Sequence, residues 1–307
     1  MTSLALTGPY WVTIRQHRRP LTIGACVLIL GLAGMTALSA WESSASRNTD
    51  STRYAMLSLA MEGISTASVI VPLLVGAFVA GPLIAREWES GTYTVALTQC
   101  VTPARWLTSK LLVAGAATVT GTLALIGIYR IGWLSVDGEL PSLWHSWHVF
   151  AVSGPVLVAQ GLLAVALGAL IGQLIRRTVA AMAVTALALG PVLLLLTWLR
   201  WELLPTTTRT GPLTASLTDG FALLPAHAKL VDIGLLTATG ERYTGFYCYE
   251  PFNPGQCRPD VTVVEAYAEY HPASQYWQLQ LIETSILLTL AALAVFAAFR
   301  VLRRRHP

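Results

Sequence analysis

Charge is what this sequence has least of. Only 12% of its 307 residues are Asp, Glu, Lys or Arg, against about a quarter in an ordinary soluble domain. A soluble fold of this length would bury a core but lack the charge to cover its surface. Lysine is nearly missing: Lys110 and Lys229 are the only two. Neither lies in a G-x-x-x-x-G-K-[ST] loop, so the chain has no phosphate-cradling site of that kind. G-x-S-x-G and H-E-x-x-H are both missing, which leaves hydrolase chemistry without a footing. What is abundant is apolar: 54% of the residues are hydrophobic, which excludes disorder, and Gly 24 and Pro 16 are ordinary counts that exclude a collagen or linker class. An integral membrane protein remains.

Uncharged runs over 20–41, 63–85, 111–129, 140–175, 178–199 and 284–299 support that reading. A helix needs about 20 residues to cross about 30 Å of hydrocarbon, and lipid offers backbone groups no other partner. Six spans follow, near 21–40, 64–85, 108–131, 149–175, 178–199 and 278–302. The first is too long for a signal-peptide core and reads as a retained span. Arg15, Arg18 and Arg19, then Arg86, Arg105 and Lys110, then Arg176 and Arg177, and finally Arg303, Arg304 and Arg305 all fall on one side. The positive-inside rule makes that side, and both termini, cytoplasmic. All ten tryptophans lie at or just beyond span ends, as expected of indoles at a membrane interface. Arginine supplies eighteen of the twenty basic residues, which suggests a high-GC bacterial genome and a bacterial plasma membrane.

Two segments flank the early spans. Pro9 suits a first helical turn, and Tyr10, Trp11 and Ile14 lie opposite Arg15 and Arg18, the pattern of a short amphipathic helix on the inner membrane face. The connection 86–110 holds Glu87, Glu89, Ser90, Gly91, Thr92 and Tyr93. It continues with apolar positions at helical spacing through Leu97, Cys100 and Val101, and then Thr102-Pro103, Arg105 and Lys110. Thr102 reads as an N-cap with Pro103 in the first turn of the next helix. The periodicity fits either a docking helix or one lying passively on the membrane.

The layout of two spans joined by Glu-x-Glu-x-Gly-Thr, an apolar run, Pro-x-Arg and a Lys opening the third span resembles the membrane subunit of type 2 ATP-binding-cassette exporters. The resemblance implies six spans per subunit and makes 86–110 a coupling helix that docks into a cytoplasmic ATPase. Arg86, Glu87, Glu89, Gly91, Thr92, Tyr93, Leu97 and Arg105 become its contact residues. It also implies two copies of that ATPase, with ATP and Mg bound there and no cofactor on this chain. A second permease subunit is implied as well, a homodimer or a heterodimer. The long segment before the last span departs from the short re-entrant element of many relatives.

Other constellations carry more than one reading. Gly154, Gly161, Gly168 and Gly172 pattern the fourth span, and such a small-residue stripe should face another helix, in the same subunit or in a second copy. Gln160 is either a structural or a substrate-facing amide. Arg130 and Glu283 are ionisable groups inside spans that either pair or snorkel outward. Pro72, Pro82, Pro155 and Pro191 are expected to kink their helices. Cys248 and Cys257 are expected to form a disulfide outside, worth about 2.5–3 kcal/mol for so short a loop; two free thiols are the alternative. His145, His148, His227 and His271 do not make a zinc site, which needs three or four converging ligands, and no metal is expected. Six of ten tyrosines lie in 243–276, as a folded cap would have them.

The expected fold is an all-α polytopic membrane protein. Residues 1–199 hold the N-terminal arm and the first five spans, 200–277 form an extracellular loop or cap, and 278–307 carry the sixth span and a basic tail. The expected function is a permease that moves an amphiphilic, drug- or antibiotic-like compound or a lipid outward, with membrane lipid and the ATPase as partners and no nucleic acid. The alternative is a non-transporting sensor or scaffold that binds a ligand through 200–277.

Overall fold

The computed structural model describes residues 9–43, 51–93, 102–135, 144–212, 223–244 and 263–305. The chain divides into two compact units, one of residues 1–137, 146–199 and 280–307, the other of 138–145 and 200–279.

Among the described residues, six helices are long and apolar enough to cross a membrane. Helix α1 (Pro9–Gln16) is followed directly by α2 (Arg18–Ser43). Helix α3 (Ser51–Leu74) passes through a π-helical stretch, Val75–Ala80, into α4 (Gly81–Glu89). Then come α5 (Pro103–Ser135), α6 (Trp147–Ser153), α7 (Val156–Ile175), α8 (Thr178–Leu199) and α9 (Gln275–Arg305).

The second span therefore starts well before residue 64. Residues 51–63 are helical and carry Arg53 and Glu62, because a helix need not be apolar where it leaves the hydrocarbon. Arg53 reaches back to α2, donating to the Trp41 carbonyl at 3.2 Å with its guanidinium 4.9 Å from the Trp41 ring. The π register follows from the prolines. Pro82 lacks an N–H, and the Gly81 N–H reaches the Gly76 carbonyl five residues back.

The fourth span is not the single helix expected over 149–175. It breaks at Gly154-Pro155, where Gly154 is extended, between α6 and α7. A break inside a membrane leaves backbone groups unsatisfied unless the protein supplies partners. Gln280 of α9 supplies two: its Oε1 accepts from the Val156 N–H at 3.2 Å and its Nε2 donates to the Phe150 carbonyl at 2.6 Å. Arg130 of α5 adds a third, donating to the Ser153 carbonyl at 3.1 Å, where a cation suits a helix C-terminus.

Helix α7 is the central post, two-thirds of its span buried. The glycines of the fourth span do not form one face for one partner. A Cβ on Gly154 would lie 2.5 Å from Gln280, one on Gly161 2.5 Å from Thr118 of α5, and one on Gly168 2.5 Å from the Ala80 Cβ. One on Gly172 would lie 2.8 Å from the Gly81 carbonyl. The stripe thus meets three neighbours within this chain.

The second unit corrects the all-α expectation. Strands β1 (Thr207–Pro212), β2 (Lys229–Thr237), β3 (Arg242–Thr244) and β4 (Val263–His271) form an antiparallel sheet in the order β1-β4-β2-β3. Its core is Leu235, Ala266, Tyr267, Ala268 and Tyr270. The Tyr267 hydroxyl donates to Asp232 at 2.7 Å across the sheet, and Arg242 pairs with Glu269 at 3.1 Å. Burial first, and the Asp232 carboxylate second, push the Tyr267 phenol up. Trp201 stands between His271 at 5.5 Å and Trp144 at 5.9 Å, and the Lys229 ammonium lies 3.4 Å from its ring centre. Cys248 and Cys257 lie outside the described residues.

Gln280→Leu keeps the volume but strands the Val156 N–H and the Phe150 carbonyl. We expect a loss of about 1–3 kcal/mol for each orphaned group, read as a lower Tm in detergent. Gly24→Ala, where an added Cβ meets nothing within 4 Å, should leave Tm unchanged.

Candidate functional site

The arginine-rich end of the first unit gathers the segments that the sequence marked. Helix α4 ends there because the Ser90 N–H closes on the Arg86 carbonyl and Gly91, at φ +71°, turns the chain in the left-handed region that favours glycine. Helix α5 begins as its sequence dictates: the Thr102 Oγ1 accepts from the Arg105 N–H at 3.3 Å, and Pro103 fills the first turn. Ile84, Trp106, Leu107, Ala169, Ala298 and Leu302 then form one buried cluster from α4, α5, α7 and α9.

Two carboxylates of α4 work inside this frame. Glu87 accepts from the Lys110 Nζ at 2.6 Å and from the Trp106 Nε1 at 3.0 Å, so α4 and α5 are locked together. The Lys110 side chain is 3% exposed and that of Glu87 16%, so this pair is largely desolvated. Glu89 turns the other way. Its Oε2 accepts from the backbone N–H of Thr178 at 2.8 Å and from the Thr178 hydroxyl at 2.5 Å, so it caps the N-terminus of α8 from another helix, where a negative charge suits the dipole. Both side chains had been expected to contact an ATPase; in the structure both accept hydrogen bonds from this chain, and Glu89 is also exposed.

Trp88 sits between them as a hub. Tyr93 stacks on it at 4.1 Å, and the guanidiniums of Arg176 and Arg305 lie 4.8 and 6.0 Å from its ring centre. Arg305 also donates to the Gln173 carbonyl. Helix α1 packs on α5. His17, just after α1, is held below its ordinary pKa by burial first and by the Lys110 charge second, with Glu87 opposing. Stability tied to that neutral imidazole is present above about 6.5 and lost as the pH falls through the lowered value.

The remaining marked residues divide. Arg86 and Arg105 are exposed, and the Thr92 hydroxyl meets that of Ser90 at 2.9 Å. Leu97 and Cys100 lie outside the described residues. Gln160 is buried on α7, and its Oε1 has no hydrogen-bond partner among the described residues. Glu283 is fully buried and does not snorkel. His148 meets the Ser65 hydroxyl at 2.9 Å and His271 meets Gln275 at 2.8 Å. Among the described residues no three His, Cys, Asp or Glu side chains converge for a metal.

Trp106, Lys110, Trp88, Thr178 and Arg305 were missed as site residues. For Lys110 a signal existed. A lysine one turn after a tryptophan, entering a span beside another span that ends in glutamate, invites an internal pair, because unpaired charge is expensive at that depth.

Removing one partner of a desolvated pair costs about 3–5 kcal/mol, whereas replacing both leaves no charge stranded. Thermal unfolding should therefore show a large loss for Glu87→Gln and for Lys110→Met. The double variant should recover most of it.

Residues 11–200, well over half of the chain, match the family described as "ABC-2 membrane transporter related". No curated protein matches the chain. The match runs from within α1 to the first residue after α8 and so includes the whole Glu87–Lys110 and Glu89–Thr178 framework. The chain therefore belongs to the ABC-2 membrane transporter related family and is a multi-pass membrane component of a transporter, a permease subunit of the ABC-2 type.

Proposed function

We propose that this chain is the permease subunit of an ATP-driven exporter that carries an amphiphilic small molecule, drug- or antibiotic-like, or a lipid outward. The family implies an ATP-binding partner. In this reading two copies of a separate cytoplasmic ATPase bind ATP and Mg, and two permease subunits, identical or related, enclose the path. The arginine-rich end is cytoplasmic, with both termini, in a bacterial plasma membrane.

One observation carries the reading. The root of the segment 86–110 is tied by Glu87 to α5 and by Glu89 to α8, so a push on 90–101 moves three spans together. Closure of the ATPase pair would drive that lever, and alternating access would follow. Glu87 and Glu89 then transmit force, while the contact itself falls to Leu97, Arg105 and their neighbours. Gln160 is the amide we place along the path. A sensor or scaffold reading draws on the folded sheet of 207–271 but leaves this double tie without a purpose.

The test is co-purification of the full chain with its ATPase, followed by substrate-stimulated hydrolysis. Leu97→Arg or Arg105→Glu should weaken association by about 2–5 kcal/mol, while Cys248→Ser should not. Full association and transport in both variants would leave 90–105 no part in coupling.

Orientation has its own test, because the chain has two lysines only. Lys229 is pushed down to about 8 by burial first and by Arg200 second, so it is a ready nucleophile near pH 8. A membrane-impermeant, amine-reactive activated ester added to intact cells should acylate the Lys229 amine and release its leaving group. Labelling only after the cells are opened would reverse the topology.

A further inference from the structure

Helices α4 and α8 leave a cleft between them at the arginine-rich end. It holds about 480 Å³ and is lined by Pro82, Arg86, Glu89, Ser90, Thr178 and Met182, a volume in the range of small-molecule sites. Its polarity is graded. Arg86, Glu89, Ser90 and Thr178 stand at the mouth. Pro82 and Met182, each one helical turn further in, make an apolar floor about 6 Å deeper.

The charges at the mouth are unequal in use. The Glu89 carboxylate is already held by the Thr178 backbone and hydroxyl, and the Arg177 guanidinium lies within its electrostatic reach. Arg176 and Arg305 are stacked on Trp88. The Arg86 guanidinium, by contrast, is exposed and makes no side-chain hydrogen bond or ion pair among the described residues. Among the lining residues Arg86 and Glu89 balance, and Arg177, within electrostatic reach of Glu89 beside the mouth, tips the surroundings to net positive. A basic pocket between spans, at the level where they leave the hydrocarbon, matches an anionic headgroup, and arginine is the side chain suited to phosphate.

We propose that this cleft binds an anionic phospholipid of the leaflet at the arginine-rich end. The phosphate lies on Arg86 and the Ser90 hydroxyl, and the first part of an acyl chain lies over Pro82 and Met182. A lipid there would wedge the two helices that Glu89 joins. The proposal requires only that this end lies at a lipid surface and does not depend on the exporter reading.

The experiment is native mass spectrometry of the full chain released from nanodiscs of equal phosphatidylglycerol and phosphatidylcholine, with Tm recorded for each variant. We expect phosphatidylglycerol adducts at least tenfold over phosphatidylcholine. Arg86→Gln should bring that ratio near one, and Met182→Trp, which fills the floor, should remove the adduct with Tm kept. Arg303→Gln in the basic tail should change neither. Equal retention of both lipids by the unaltered protein, or an undiminished preference in a folded Arg86→Gln, overturns the proposal. So does displacement by millimolar glycerol phosphate, which would make the ligand a soluble phosphate rather than a lipid.

Discussion

Close backbone approach to α7 is the constraint on which the first unit rests. Inside lipid, apolar side chains gain nothing by leaving hydrocarbon for protein, so helices associate through packing and hydrogen bonds. Gly168 and Gly172 bring the second span's backbone at Ala80, Gly81 and Ala85 within reach of α7, Gly161 makes room for the Thr118 side chain of α5, and the remaining helices are arranged around that post. The same closeness explains how a broken span is tolerated. Gly154 leaves room for the Gln280 amide, and that amide restores the bonds the break removes.

At the arginine-rich end a different currency takes over. There the helices leave hydrocarbon, and charges become usable as connectors. Glu87 joins α4 to α5 sideways through a desolvated ion pair, whereas Glu89 joins α4 to α8 end-on through a cap. The two bonds have different directions. A twist of α4 alone would strain both, so the helix end moves with its neighbours or not at all. Trp88, flanked by arginines from the α7–α8 corner and from the C-terminal tail, adds a third connection of the same kind.

Much of this was legible in the sequence, and for identifiable reasons. Span number followed from uncharged runs, since a lipid-facing helix has no freedom to be polar. Thr102-Pro103 announced the start of α5, because capping chemistry is local. What the sequence concealed was non-local. Helix α3 begins at Ser51, where Arg53 and Glu62 end the apolar run but not the helix. The break at 154–155 becomes tolerable only through Gln280, more than a hundred residues away. The sheet was missed although β4 alternates, with Val264, Ala266, Ala268 and Tyr270 on one face and Glu265, Glu269 and His271 on the other, because its partners β1 and β2 lie far away in the chain. The directions of Glu87 and Glu89 could not be read from 86–110 alone, since their partners include Thr178, outside that segment. The tryptophans were placed correctly at span ends, yet for Trp106 burial and a bond to Glu87, not the headgroup layer, account for the position.

The π-helical stretch at Val75–Ala80 has a consequence for how the second span can vary. It holds one residue more than α-helical winding would need, and that surplus sets the angular phase between Ser51–Leu74 above it and Gly81–Glu89 below. A length change within the stretch would be absorbed locally in hydrogen bonding but would rotate one half against the other by about 100°, the angle per residue of a helix with 3.6 residues per turn. Faces built for Gly168 and Gly172 would then point elsewhere. Single-residue insertions and deletions in this span are thus not equivalent along its length. Near residue 60 they would shift a helix end, and near residue 77 they would change which side chains of the same helix are neighbours.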